Sequence, residues 1–281
     1  MIHCENLCFE YKKQSVYENF NWQLNSGSIC GFLGPNGAGK TTLFKILTGL
    51  MFQNKGEVSV LGHAPKKREE SFYKKITYVG EELACPTMSP LEYISICGPL
   101  YPNFSKDLFH ELSNSFEINE DKDFATFSAG DLRKAWLSIA LSCQTELVFL
   151  DEPSKGLDIN AQAVLRKVLA ESAAKESTIV LSTHHVREVE GLLDHITLID
   201  RGGHLRLNAR VEDLHKEFTL VHSLTKEQIP AESLAYQRKA SGWTALLKED
   251  SDSPEDIPLE LLFTGLCRKG KEISNDYKES I

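Results

Sequence analysis

The chain has 281 residues, 41% of them hydrophobic and 25% charged, and a net charge of −9. This is globular composition, with length enough for a sizeable core and a second small domain. The acidic balance disfavours nucleic acid and anionic membrane surfaces as general partners, since both need clustered cations, and no apolar run approaches the ~20 residues that cross a bilayer.

The opening MIHCENLCFEYKK lacks a basic segment followed by an apolar one, so no secretory leader and a cytoplasmic location are expected. Cys4 and Cys8 have three residues between them and no matching Cys or His pair follows, so the seven irregularly spaced cysteines are read as scattered reduced thiols, not a zinc site. Residues 28–33, SICGFL, read as a buried strand, and 41–50 as a helix with Leu43, Phe44, Ile46, Leu47 and Leu50 at helical spacing. Residues 76–79 are a short strand. Pro86, Pro90, Pro99 and Pro102 then separate helix-like pieces such as 108–116, which suggests an inserted helical subdomain over about 85–145. A helix at 131–142 is followed by a strand at 147–150, a helix at 161–174, a strand at 178–181, a helix at 186–193 and a strand at 195–199. Such alternation implies a mostly parallel, doubly wound sheet, an α/β fold. After a turn at 201–204 the character changes near 217. Residues 218–281 read as a small C-terminal appendage: strand-like TLVHSL, polar KEDSDSPED, an amphipathic packing helix LELLFTGL and a frayed tail.

Gly34-Pro35-Asn36-Gly37-Ala38-Gly39-Lys40-Thr41 fits G-x-x-x-x-G-K-[ST], after a strand and before a helix. The glycines let backbone N–H groups converge on phosphate oxygens, Lys40 reaches the outer phosphates, the Thr41 hydroxyl ligates Mg²⁺, and the helix N-terminus adds its dipole. Four fixed positions arise by chance in about 1% of chains this long, and the strand–loop–helix context lowers that further. A nucleotide site is expected.

At 147–158, LVFLDEPSKGLD, an apolar strand runs straight into Asp151 and Glu152. Burying two carboxylates is costly unless something compensates. Behind a phosphate loop, Asp151 is expected to hold Mg²⁺, mostly through water, and Glu152 to sit beside the γ-phosphate and polarise the attacking water. Without that loop, a strand ending in a solvated turn would be the better reading.

These motifs resemble the ATP-binding cassette (ABC) ATPase family over roughly residues 1–217. GPNGAGKTT at 34–42, FSAGD at 127–131, VFLDEP at 148–153, GLD at 156–158 and STH at 182–184 occur in the family's order and spacing. The resemblance implies a P-loop NTPase fold with an N-terminal antiparallel β part, and ATP and Mg²⁺ as cofactors. It implies that Gly34, Asn36, Gly37, Ala38, Gly39, Lys40, Thr41 and Thr42 bind nucleotide, and that Tyr11 stacks on the adenine, with Phe9 the competing aromatic. It implies that Ser128 and Gly130, opening a helix, grip the γ-phosphate of ATP held by a second subunit, so that two ATP molecules are sandwiched in a head-to-tail dimer. Ser128 suits an ordinary N-cap equally well. Asp158 would reach across the same interface. His184, directly after Ser182 and Thr183, would bond the γ-phosphate; His185 falls where relatives carry an acidic residue.

The chain departs from the family at three places. Glu81, in TYVGEEL, stands where relatives have a glutamine at the metal; a carboxylate can still ligate Mg²⁺, or Glu81 and Glu82 are a solvated loop pair. Phe127, Ala129 and Asp131 weaken the signature, but Ser128 and Gly130, which do its chemistry, remain; Asp131 brings like charge toward a phosphate, so activity is expected to survive at a reduced rate. Lys155 replaces a small polar residue. The resemblance implies the ATP-hydrolysing subunit of a transporter, tilted toward export, working as a homodimer, or paired with a second, different cassette as the degenerate signature also allows, on the inner face of the cell membrane through an integral membrane permease. The permease would dock on the inserted region through Leu91, Tyr93, Ile94, Phe104 and Phe109, unless these form the subdomain's own core. A soluble cassette ATPase in cofactor assembly and a low-turnover nucleotide sensor are the alternatives.

Overall fold

The structure is a computed structural model and describes residues 1–12, 14–173, 177–249, 256–267 and 272–273. The chain opens with two long strands, β1 (Ile2–Tyr11) and β2 (Gln14–Leu24). β3 (Ile29–Leu33) leads through the glycine-rich loop into α1 (Lys40–Leu47), and β4 (Lys55–Val60) follows. β2, β1 and β4 pair antiparallel in a three-stranded sheet. The expected helix at 41–50 is therefore three residues too long. It stops at Thr48 because Gly49 turns left-handed (φ 71°), where an added Cβ would lie 2.5 Å from the Pro65 carbonyl oxygen. Leu50 is exposed beyond it.

After the short helix α2 (Glu70–Tyr73), β5 (Ile76–Val79) begins the second sheet. The inserted region then supplies α3 (Pro90–Cys97), α4 (Lys106–Ser115) and α5 (Ala129–Ser142). Each begins on a serine whose side chain accepts a backbone N–H: Ser89, Ser105 and Ser128. β6 (Leu147–Asp151), α6 (Ile159–Ala173), β7 (Thr178–Thr183), α7 (Val186–Val189), β8 (His195–Ile199) and β9 (Leu205–Arg210) complete the alternation. The sheet order is β5-β6-β7-β3-β8-β9, parallel except for β9. The expected helix at 186–193 shrinks to four residues, because Glu190 leaves helical backbone (ψ 134°) and Gly191 is left-handed (φ 81°), closing a tight turn in which the Leu192 N–H donates to the Val189 carbonyl.

The central strands β3, β6 and β7 are buried on both faces, as a parallel sheet covered on both sides requires. Alternate residues serve two cores. Leu147 and Phe149 of β6 face a core shared with β1, β2 and α1, while Val148 and Leu150 face one shared with the inserted helices and α6.

The appendage holds β10 (Thr219–Ser223), β11 (Ala235–Lys239), β12 (Gly242–Leu247), α8 (Leu259–Cys267) and β13 (Glu272–Ile273). Its sheet order is β10-β12-β11-β13, and the β11–β12 hairpin was not anticipated. α8 differs from the expected amphipathic helix: Leu259 through Thr264 are all buried. Phe218, Ala235, Leu246 and Leu261 belong to the same core as the inserted helices. The tail beyond 273 lies outside the described residues.

Candidate nucleotide site

Three parallel strands set the site. β7 lies between β6 and β3, with Asp151 opposite Ser182 and Leu33 opposite Thr183. The phosphate loop leaving β3, the carboxylates ending β6 and the Ser-Thr-His ending β7 therefore emerge side by side at the C-terminal edge of the sheet, where open α/β sheets bind ligands.

In the loop, Gly37 and Gly39 have φ of 77° and 100°, which glycine adopts without steric cost. A Cβ at Gly39 would meet Val16 Cγ1 at 2.7 Å and Tyr17 Oη at 2.9 Å. Asn36 and Gly37 are exposed, Gly34, Ala38 and Thr42 are buried, and Thr41 is half-buried. The buried Lys40 ammonium donates to the carbonyls of Gly34 (2.8 Å) and Pro35 (3.3 Å) and lies 3.6 Å from Glu152 Oε1. Burial lowers its pKa; the charges of Glu152 and Asp151 oppose that shift.

Asp151 is wholly buried. The Ser182 hydroxyl donates to its Oδ1, and Oδ2 has no hydrogen-bond partner. Burial pushes this carboxyl above its ordinary range; the Ser182 and Thr41 hydroxyls pull it back. Tyr78 Oη is also buried and unpartnered, and burial, with the nearby Asp151 charge, holds its proton tightly. Glu152 has φ 50°, and its N–H is shared between the carbonyl and the hydroxyl of Ser182, both at 3.1 Å. His184 Nδ1 lies 2.8 Å from Glu152 Oε1, whereas Glu152 Oε2 is buried without a partner. His185 packs against His184 with ring centroids 3.8 Å apart and the ring planes tilted by 43°. Of the two histidines, it is His184 that meets the carboxylate.

A second group gathers at the start of α5. Ser128 Oγ caps the Asp131 N–H at 3.1 Å and donates to Asp131 Oδ2 at 2.7 Å. Lys134 Nζ lies 3.5 Å from Asp131 and 4.0 Å from Asp158, so the acidic residue in the signature has a countercharge one turn away. Asp158 Oδ1 accepts the Ala161 N–H at 2.8 Å, capping α6. A Cβ on Gly130 would sit 2.9 Å from the Gly156 carbonyl oxygen, so the first turn of α5 touches the loop before α6 there. Among the described residues, no hydrogen bond or ion pair joins Ser128, Gly130 or Asp158 to the phosphate loop. The sites expected from the sequence thus form two clusters.

Tyr11 is 45% exposed at the end of β1, with its hydroxyl 3.1 Å from Met51 sulfur; Phe9 is buried and packs edge-on against Tyr11. Glu81 Oε1 pairs with Lys155 Nζ at 2.6 Å. In the inserted region, Ile94 and Phe109 are buried and Leu91, Tyr93 and Phe104 pack against the same core, while Ile96 and Leu100 are each 63% exposed.

Two residues of the site were not anticipated. Ser182 joins both carboxylate residues. Arg133, 5% exposed, donates to main-chain carbonyls beneath them. A signal for Arg133 was present: it precedes Leu137 and Leu141 at four-residue spacing on a buried helical stripe, where a cation is out of place.

A phosphate loop opening a helix, in one sheet with parallel strands that run into Asp-Glu and Ser-Thr-His, defines a P-loop NTPase. The family profile described as ABC transporter matches residues 17–155. The bacitracin transport ATP-binding protein BcrA of Enterococcus faecalis is 30% identical over 223 residues, covering 77% of this chain and 71% of that protein. The linearmycin resistance ATP-binding protein LnrL of Bacillus subtilis (strain 168) is 29% identical over 219 residues, covering 75% of this chain and 70% of the relative. A solved structure described as an ATP binding subunit of an ABC transporter superposes with TM-score 0.69 at 25% identity, covering 76% of this chain and 92% of that one. The chain belongs to the ABC transporter family as an ATP-binding subunit, and it is an ATPase. Among the described residues, no helix is long and apolar enough to cross a membrane.

Proposed function

We propose that this subunit drives an exporter: a homodimer closes on ATP, reopens on hydrolysis, and moves a separate membrane permease that holds it at the inner face of the membrane. The observation that carries this reading is the meeting of Lys40, Asp151, Glu152 and His184 at one sheet edge, with Ser128, Gly130 and Asp158 in a separate cluster. In a head-to-tail pair the second cluster of one subunit meets the first cluster of the other. The names of the two bacterial relatives, one for linearmycin resistance and one for bacitracin transport, support outward movement.

Asp151, Thr41 and Glu81 fit Mg²⁺: all offer hard oxygen donors, and Asp151 Oδ2 is buried without a partner. Bound there, the ion would neutralise charge on the β- and γ-phosphates. Lys40 exchanges its carbonyl partners for phosphate oxygens. Tyr11, exposed on β1, stacks on the adenine. Glu152, with Oε1 held by His184, offers Oε2 to the attacking water, and His184 steadies that carboxylate and reaches the γ-phosphate. Ser128 turns its hydroxyl from Asp131 to the partner's γ-phosphate, beside the Gly130 N–H. A cleft of about 410 Å³ lined by Lys45, Leu50, Glu81 and Trp136 would take part of the permease, with Ile96 and Leu100 nearby in the chain as exposed apolar contacts.

The test has two arms. Glu152→Gln, which keeps the shape and removes the base, is expected to dimerise on ATP in gel filtration and to cleave it slowly. The tagged chain, extracted from host membranes in mild detergent, is expected to bring a polytopic permease with it. A monomer under all nucleotide conditions, or recovery with soluble partners alone, overturns the exporter reading.

A further inference from the structure

Arg133 is a buried cation with no acidic side chain at ion-pair distance among the described residues. Its guanidinium instead serves four main-chain carbonyls: Glu81 at 2.7 Å, Glu152 at 3.2 Å, Asp151 at 3.4 Å and Gly80 at 3.5 Å. Burying a cation is expensive, and a neutral apolar side chain would serve packing alone at lower cost. Burial lowers the Arg133 pKa, and the charges of Glu81, Asp151 and Glu152 oppose the shift. The planar fork of arginine lets one side chain reach several acceptors at once.

The four carbonyls belong to two segments: Gly80 and Glu81 follow β5, and Asp151 and Glu152 end β6. The guanidinium itself rides on α5, three residues after Gly130. One side chain therefore joins the signature helix to both segments around the proposed metal and water positions.

Glu152 is the residue most in need of such a brace. Its φ of 50° is left-handed, which a residue with a Cβ adopts only under constraint. Pro153 follows it, and a residue before proline is pushed toward extended backbone. Both of its peptide groups are held: Ser182 takes the N–H and Arg133 the carbonyl.

We propose that Arg133 is a positioning residue for Glu152. By holding the Glu152 carbonyl together with that of Glu81, it keeps the carboxylate aimed for hydrolysis and links that aim to the helix bearing Ser128 and Gly130. The proposal rests on the reading of Glu152 as the group that polarises water.

The test uses the full chain with Arg133→Gln, which keeps N–H donors but loses the charge and the reach, Arg133→Lys, and each combined with Glu152→Gln. The readouts are affinity for a fluorescent ATP analogue with Mg²⁺, melting temperature, and single-turnover cleavage at saturating ATP. Arg133→Gln is expected to slow cleavage about tenfold or more while changing nucleotide affinity less than about twofold, with partial recovery in Arg133→Lys. In the Glu152→Gln background the same change is expected to slow residual cleavage less than about twofold, because the group it acts through is already gone. Equal slowing in both backgrounds, an unchanged saturating rate, or a fall in rate matched by a fall in affinity would overturn the proposal. If Arg133→Gln does not fold, Arg133→Lys decides: a slower rate at unchanged affinity supports the positioning role, and a wild-type rate sinks it. Wild-type cleavage by Glu152→Gln alone would instead remove the underlying reading of Glu152.

Discussion

Lys155 Nζ and Glu81 Oε1 lie 2.6 Å apart, joining two residues that are distant in sequence and that each depart from the family pattern. The hydrogen bond from Lys155 is the first cause holding the Glu81 carboxyl below its ordinary range. Both side chains are substantially exposed, so the pair contributes only about 0–1 kcal/mol to stability. Its effect is to hold the Glu81 carboxylate on Lys155.

Lys155→Met is therefore expected to free Glu81 for the metal. The Mg²⁺ concentration giving half-maximal nucleotide binding should fall by up to about fivefold, the equivalent of ~1 kcal/mol. The same change in a Glu81→Gln background should have no effect. Magnesium titrations of the two backgrounds check this, and an equal shift in both would show that Lys155 acts independently of Glu81.

The appendage is clamped to the segment that follows His184. Buried Glu260 accepts from Arg187 at 2.6 Å, and Glu190 Oε1 accepts the Leu259 N–H at 2.8 Å, near the start of α8. Arg187→Ala leaves the Glu260 carboxylate without that countercharge and should destabilise the protein by about 1–3 kcal/mol. Adding Glu260→Gln should recover part of the loss, as read from urea unfolding.

Acid sensitivity should appear at Asp200. Burial alone would raise its pKa, but the His204 N–H, the Arg206 guanidinium and the Gly202 N–H outweigh it, so the carboxyl titrates below its ordinary range. A carboxyl lowered on folding stabilises the fold above its unfolded pKa, near about 3.9, and loses that contribution as pH falls through the folded value. Asp200→Asn should lower the melting temperature at pH 7, and the gap to wild type should close on acidification. A gap that is constant with pH would mean the carboxylate's charge is not what stabilises this turn.

Thiol reactivity should separate the cysteines by burial. Burial pushes Cys4, Cys30 and Cys143 up to about 12, leaving almost no thiolate at pH 8. Cys85 is exposed, whereas Cys8, Cys97 and Cys267 are partly covered. A chromogenic disulfide reagent should find one fast thiol in the native protein, lost in Cys85→Ser, and seven in denaturant.

The phosphate loop, the Asp151–Glu152 pair, the strand at 76–79 and the parallel alternation were legible because each is written in contiguous residues. A local period or a short fixed spacing determines backbone conformation over a few residues. His184 was separable from His185 only through the family's pattern; its contact with Glu152 comes from the pairing of β7 with β6.

Helix ends and side-chain partners were a different matter. α1 ends where the Pro65 carbonyl presses on Gly49, and α8 looked amphipathic until the appendage sheet and the cassette core enclosed its polar side as well. Ser182 reaches Asp151 and Glu152 only because β7 pairs with β6 in one register. Arg133 finds its four carbonyls, and Lys155 finds Glu81, through contacts between segments far apart in sequence. Candidate nucleotide-binding residues could be read from contiguous sequence, because that chemistry is held in local motifs. How those residues are aimed is visible only in the folded chain, because orientation comes from strand register and long-range packing.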